Sequence, residues 1–174
     1  MQGPYYYPLT IPQESIWDIE RFHRNSGYAN VSMTVIIRER VKLDYLEAAV
    51  NFILHQHEGL RLRIRGNKEK PYQYISSFCQ KVFARLDFSS PGDGQGFLAW
   101  QKNQTEMPMN TLESDLYYFA LLKLEDSKAA LYIKFHHLIA DAWTMTMIIR
   151  DILNTYKNLM NGMPFSHDPR PSYT

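Results

Sequence analysis

The sequence predicts an α+β fold, in which a mixed sheet packs against helices. Segment 129–135 is a continuous apolar run like a buried strand, and segment 31–37 is rich in β-branched residues. Segments 12–24 and 144–161 instead place apolar residues at helical spacing. The chain has 174 residues and no internal repeat, so one domain-sized core is expected.

Three segments in the first half of the chain have residue patterns that predict a helix or a strand. Ile16, Ile19 and Phe22 share one face of the first helix, which Gly27 would end. Asp44 followed by Glu47 resembles a capping pair that opens a second helix. The strand at 60–65 alternates apolar residues with arginines, so a shared wet face is predicted for Arg61, Arg63 and Arg65. In chain order, the predicted elements are helix 12–24, strand 31–37, helix 44–56, and strands 60–65, 72–76 and 82–87.

The second half begins with a loop at 89–96, which is rich in Ser, Pro and Gly and matches no nucleotide-binding pattern. A helix is predicted at 97–107, and a hairpin joins strands 117–124 and 129–135. The last helix, 144–161, ends at Gly162, and its regular apolar spacing indicates core packing.

Composition and charge exclude several classes of function. The formal net charge is +1 and no long basic run occurs, so neither nucleic acid nor an anionic membrane is an expected partner. No apolar stretch approaches the roughly 20 residues that cross a bilayer, and residues 1–12 lack the pattern of a secretion signal. These features predict a cytoplasmic protein.

Two adjacent histidines and a nearby acid follow the apolar run that ends at Phe135. Side chains alternate between the faces of a strand, so His136 and His137 should point in opposite directions. They cannot easily converge on one ion, and no cysteine or glutamate cluster completes a ligand set, so no metal site is predicted. The alternative to a functional role is a pair of hydrogen-bonded core histidines.

This segment reads HHLIADA at 136–142, which resembles the HHxxxDG signature of the condensation domains of nonribosomal peptide synthetases, relatives of chloramphenicol acetyltransferase. The blocks at 12–17 and 57–61 resemble the family's opening block and its RHExLR block. Segment 115–122, leading into 134–137, resembles the strand pair that precedes the active-site loop. Two residues depart from the family pattern: Gln56 stands in place of arginine and Ala142 in place of glycine.

The resemblance implies the fold of a chloramphenicol acetyltransferase-like lobe, one half of a V-shaped domain with its active site between two lobes. Residues 1–162 would form the amino-terminal lobe, and 163–174 a linker toward a missing carboxy-terminal lobe. Met1 would be the natural start of a synthetase subunit. The lobe alone should be inactive.

The implied reaction is amide bond formation between an acyl or peptidyl thioester and the amine of an aminoacyl thioester. Both substrates would arrive on carrier proteins, other synthetase domains would be neighbours, and phosphopantetheine would come with the carriers, with no cofactor bound directly. Alternative interpretations are a coenzyme A-type acyltransferase, an epimerisation domain, and a degenerate recruitment module without catalysis.

The resemblance also assigns residues. His137 and His136 match the catalytic motif, and strand parity would place His137 on the interior side. Asp141 would form a structural ion pair with Arg61. Ala142 and Trp143 would belong to the motif at the channel. Independently of the resemblance, the last helix is predicted to begin just past Asp141, so backbone N–H groups of its first turn would stabilise a negative charge that develops there.

Overall fold

The computed structural model of the protein describes residues 4–23, 26–67 and 69–165. The α+β prediction is confirmed, because strands and helices alternate irregularly along the chain. In order, the elements are β1 (Tyr7–Pro8), α1 (Ile11–Phe22), β2 (Asn30–Ile37), α2 (Leu43–Gln56), a 3₁₀ helix (Glu58–Arg61), β3 (Leu62–Gly66), β4 (Pro71–Ile75), β5 (Ala84–Asp87), α3 (Asp93–Glu106), β6 (Tyr117–Glu125), β7 (Lys128–His136) and α4 (Ala142–Met160).

The larger sheet has the strand order β2-β7-β6-β5, with β5 parallel to β6 and the other neighbours antiparallel. One face of this sheet packs on α2 and α4, and the other face packs on aromatic residues of α3. Strand β7 therefore lies between two apolar layers. Every residue from Ala129 to His136 is buried, which explains the nearly continuous apolar sequence of this strand.

A second sheet, with the order β1-β4-β3, packs beside α1. Its apolar cluster joins Leu9 and Trp17 to Leu62 and Ile64, and it also contains Leu138. Leu138 belongs to the loop between β7 and α4. The cluster thus anchors the histidine motif to the smaller sheet and to α1.

The arginine strand differs from its prediction. Arg61 lies in the 3₁₀ helix, so the strand begins one residue later, at Leu62. Arg63 is only 8% exposed, whereas Arg65 is exposed. The prediction of a shared solvent-exposed face is therefore wrong, because Arg63 pairs with Asp115 beneath the ring of Tyr117.

Two helix starts also differ from their predictions. Helix α2 begins at Leu43 after Lys42, and Glu47 pairs with Arg85 instead of closing a capping box. Helix α3 begins at Asp93, inside the segment predicted to be a loop. Gly92 has a φ of 96° at the turn that precedes α3, a conformation that favours glycine.

The predicted hairpin β6–β7 and the end of α4 are confirmed. Gly162 follows α4 with a left-handed φ of 69°. Of the predicted linker 163–174, only 163–165 lies within the described residues, and there the ring of Phe165 stacks on that of Phe52 at 4.5 Å. Among the described residues, no helix combines the length and the apolar character that a membrane span requires.

Candidate active site

The two motif histidines lie in different environments at the end of β7. The backbone N–H of His137 donates to the carbonyl of Ala29 at 2.7 Å, and the chain then turns, with Ile139 N–H donating to His136 O at 3.0 Å. The side chain of His136 is 1% exposed, whereas His137 is exposed. The prediction that parity places His137 on the interior side is wrong, because the strand ends at His136 and the alternation of faces does not extend to the exposed residue that follows it.

His136 is held by two hydrogen-bonding partners. Its Nδ1 accepts from the backbone N–H of Leu138 at 3.2 Å, and its Nε2 lies 3.4 Å from a carboxylate oxygen of Glu20 in α1. An unprotonated Nδ1 requires that Nε2 carries the proton, so Nε2–H donates to Glu20. A group this deeply buried cannot touch a substrate, and adding a second lobe could only bury it further. The burial of His136 is therefore at odds with the catalytic role that the motif implied for it, and leaves His137 as the accessible histidine.

Two glutamines, Gln13 and Gln73, form a hydrogen-bond network that also holds the loop after β7. Gln13 Nε2 donates to Leu138 O at 3.1 Å, and Gln13 and Gln73 exchange hydrogen bonds of 2.9 Å. Gln73 also donates to the carbonyl of Pro8 at 2.8 Å, which connects β1 to this network. Sequence reasoning missed both glutamines, although Gln13 lies in the opening block at 12–17. The opening block is the sequence signal for Gln13, but the block does not indicate which of its residues contacts the loop.

Asp141 and Arg61 do not form the predicted ion pair in the structure. The Asp141 carboxylate is exposed and caps α4 by accepting from Thr144 N–H at 2.7 Å. Arg61 donates instead to the carbonyls of Leu54, His55 and Ser76, which end α2 and β4. The hydrogen bond from Thr144 lowers the pKa of Asp141, and the nearby His137 lowers it further. Burial lowers the pKa of Arg61.

The partly buried ion pair in this region involves other residues. Asp115 accepts from Arg63 and, at 2.9 Å, from Lys81 Nζ. Sequence position alone could not distinguish Arg61 from Arg63 as the partner of a carboxylate. The choice depends on how the 3₁₀ helix rotates the chain between these two residues.

Ala142 and Trp143 form the first turn of α4, and both are exposed. Ala142 does not have a positive φ, so the residue at the family's glycine position is not strained. Trp143 is 74% exposed, close to the exposed His137 in sequence. Because the Asp141 carboxylate occupies the amino end of α4, it opposes the stabilisation of a second negative charge there. The expected oxyanion role of this helix end is not supported.

In the part of the chain that the structure describes, no group of three or more His, Cys, Asp or Glu side chains is arranged to hold a metal ion. The candidate site is the exposed imidazole of His137, close enough to the capping carboxylate of Asp141 to lower its pKa. The exposed indole of Trp143 follows two residues after Asp141. The backbone next to His137 is fixed at Leu138, whose N–H donates to the buried His136 ring and whose carbonyl accepts from Gln13. The imidazole of such a site can accept a proton or orient a substrate group by a hydrogen bond.

The model of the family described as Condensation domain matches residues 5–174 of this sequence. The chain belongs to the condensation-domain family. Among curated relatives of this condensation domain, surfactin synthase subunit 1 of Bacillus subtilis (strain 168) is 26% identical over 90% of the chain. The nonribosomal peptide synthetase penN of Penicillium thymicola is 24% identical over 93%. The chain spans only 4% and 6% of the lengths of these two proteins.

Solved condensation domains share the fold. The starter condensation domain of rhizomide synthetase RzmA superimposes with a TM-score of 0.86 at 22% identity, over 94% of this chain and 40% of that chain. The first condensation domain of the CDA synthetase gives a TM-score of 0.83 at 17% identity, over 94% and 43%. Each solved chain is thus more than twice as long as the part that this lobe covers, which agrees with one lobe of a two-lobed domain.

Proposed function

We propose that this chain is the amino-terminal lobe of a condensation domain that forms an amide bond. The donor is an acyl or peptidyl thioester, and the acceptor is the amine of an aminoacyl thioester. The observation that carries the proposal is the exposed imidazole of His137, which directly follows a strand buried from Ala129 to His136, in a chain that belongs to this family.

His137 acts by positioning the amine and by accepting its proton. A free α-amine has a pKa near 8, so at neutral pH it lies about one unit from deprotonation, equivalent to about 1.4 kcal/mol. A strong base is therefore unnecessary. The larger requirement is a group that orients the amine beside the thioester and takes a proton as the tetrahedral intermediate forms. An exposed imidazole on a fixed backbone meets this requirement.

Both substrates come on carrier proteins, whose phosphopantetheine arms supply the thioesters. A rhizomide synthetase variant, similar in fold, has been solved in complex with C8-CoA and Leu-SNAC. Those ligands pair an acyl group with an amino acid, as the proposed reaction does. Residues 1–162 form the lobe in this proposal, and 163–174 lead toward the second lobe, without which the chain is inactive.

The test is acyl transfer between two loaded carrier proteins, followed by intact-protein mass spectrometry with a complete domain that contains this lobe. His137→Ala should lower the transfer rate by roughly 100-fold or more. His55→Ala is the matched control, because His55 is also exposed and its ring contacts only Phe78 among the described aromatic contacts.

Each outcome has one interpretation if the melting temperatures of the variants are equal. Transfer that His137→Ala abolishes and His55→Ala preserves supports the proposal. Transfer that survives His137→Ala rejects the role of His137. No transfer by the unmodified domain, across several loaded donors and acceptors, rejects amide bond formation in favour of a recruitment module.

A further inference from the structure

The loop that carries His137 is held by helix α1 at two separate points. Gln13, in the first turn of α1, donates to the carbonyl of Leu138. Glu20, two helical turns later, lies 3.4 Å from Nε2 of His136. A helix that contacts the residues on both sides of His137 controls where that residue sits. Glu20 is the charged member of these contacts, and no motif assigned it a role.

The geometry at His136 connects Glu20 to the backbone of the loop. Nδ1 of His136 accepts from Leu138 N–H, and this bond exists only if Nδ1 carries no proton. An acceptor at Nε2 selects that form of the neutral ring, because it stabilises a proton on Nε2. The Glu20 side chain is 15% exposed and provides this acceptor. Without it, the ring can turn or move its proton to Nδ1, which would break the bond to Leu138.

We infer that Glu20 is a positioning residue of the active site. It holds the Nε2-protonated form of His136, and His136 in turn holds the backbone of His137 and Leu138 in the conformation that presents the His137 imidazole. Glu20 acts through His136 and does not touch the substrate. The effect on catalysis rests on the proposed function, whereas the effect on the loop does not.

An acceptor at position 20 is required, and a negative charge is not. Because Leu138 N–H already occupies Nδ1, a glutamine at position 20 would have to turn its carbonyl oxygen toward Nε2–H. Glu20→Gln should therefore preserve the loop. Glu20→Met has a similar length and no oxygen acceptor, so it should release the loop.

Asp18→Ala is the matched control. Asp18 is another carboxylate of α1, exposed and paired at 3.4 Å with Arg21 in the same helix. Its removal changes the charge of α1 by the same amount as Glu20→Met but leaves the contacts of His136 in place. Any effect of net charge or of general helix stability would appear in both variants.

The first readout is structural and does not depend on activity. In the complete domain, nitrogen-15 NMR of histidine side chains should show that His136 carries its proton on Nε2. Glu20→Met should change that signature and should speed amide hydrogen exchange in the peptide containing His137 and Leu138 by about 10-fold or more. Glu20→Gln and Asp18→Ala should change neither. A wild-type proton on Nδ1, or unchanged exchange in Glu20→Met, would overturn the inference.

The second readout is acyl transfer. Glu20→Met should lower kcat by roughly 10- to 100-fold with KM nearly unchanged, and Glu20→Gln should restore at least a third of the wild-type kcat. A loss of kcat in Glu20→Gln equal to that in Glu20→Met would overturn the role as an acceptor. If the unmodified domain transfers nothing, the proposed function fails, and the NMR and exchange results still decide whether Glu20 holds the loop.

Discussion

The segments before and after His136 differ in how they are held. From Ala129 to His136 each side chain is buried, and the apolar ones from Ala130 to Phe135 pack either on aromatic residues of α3 or on α2 and α4. From 137 to 143, four of seven side chains are exposed, and the segment is anchored by Leu138 and a few hydrogen bonds. Apolar packing is therefore concentrated in the strand, whereas the groups available for chemistry lie in the loop.

This separation has a physical basis. Apolar burial is spread over many contacts, so it fixes the strand against both layers at once. A reacting group must remain accessible, so its backbone is fixed by directional bonds from residues that are themselves buried. Here those residues are His136 and Gln13.

The largest expected contrast in stability is between Ile133→Ala and His137→Ala. Ile133 is fully buried in the main core, so its truncation should lower the free energy of unfolding by about 2–5 kcal/mol. His137→Ala should change it by less than about 0.5 kcal/mol, as is usual for exposed sites. Urea unfolding of both variants measures the contrast. If His137→Ala lowered the free energy of unfolding by more than about 2 kcal/mol, the loop would contribute to stability as the strand does, which contradicts this comparison.

Arg61→Ala should have the next largest effect, roughly 2 kcal/mol, because its charged side chain donates to the carbonyls that end α2 and β4. Combining it with Asp141→Ala tests whether the two residues interact. They share no partner among the described contacts, so their effects should add within about 0.5 kcal/mol. A coupling energy of about 1 kcal/mol or more in this double-mutant cycle would support the ion pair that was predicted from the sequence.

Asp141→Ala alone should lower the free energy of unfolding by about 1 kcal/mol at neutral pH, because it removes the cap of α4. The pKa of Asp141 is lowered in the folded protein, so its carboxylate contributes stability above the unfolded pKa of about 3.9. That contribution is lost as pH falls through the lower, folded pKa. The difference between wild type and Asp141→Ala should therefore be constant from about pH 5 to 8 and shrink in more acidic solution. If the difference in unfolding free energy between wild type and Asp141→Ala grew as the pH fell, the proposed capping role of the Asp141 carboxylate would be contradicted.

The smallest effect is expected for Ala142→Gly. Ala142 is exposed, begins α4 and does not adopt a left-handed backbone, so glycine relieves no strain. The free energy of unfolding should fall by no more than about 1 kcal/mol, and acyl transfer should change by less than about 2-fold. A large gain in transfer rate would show that the methyl group obstructs the channel.

Much of the framework could be predicted from local pattern. The hairpin β6–β7, the long helix α4 and its end at Gly162 follow from apolar spacing and turn residues. The start of α3 could not, because a segment rich in Ser, Pro and Gly does not reveal which glycine precedes the helix and which ones lie within it. The burial of Arg63 depends on Asp115, which is 52 residues away.

Periodicity and short motifs are properties of the sequence, so the fold class, the two histidines at the end of a buried strand and the resemblance to condensation domains could be predicted without a structure. The folded structure was needed to see that His136 is buried against Glu20, that Gln13 holds Leu138, and that Asp141 caps α4 without pairing with Arg61. These contacts join residues of separate elements or depend on where a strand ends and a helix begins. Their geometry exists only once the layers have packed.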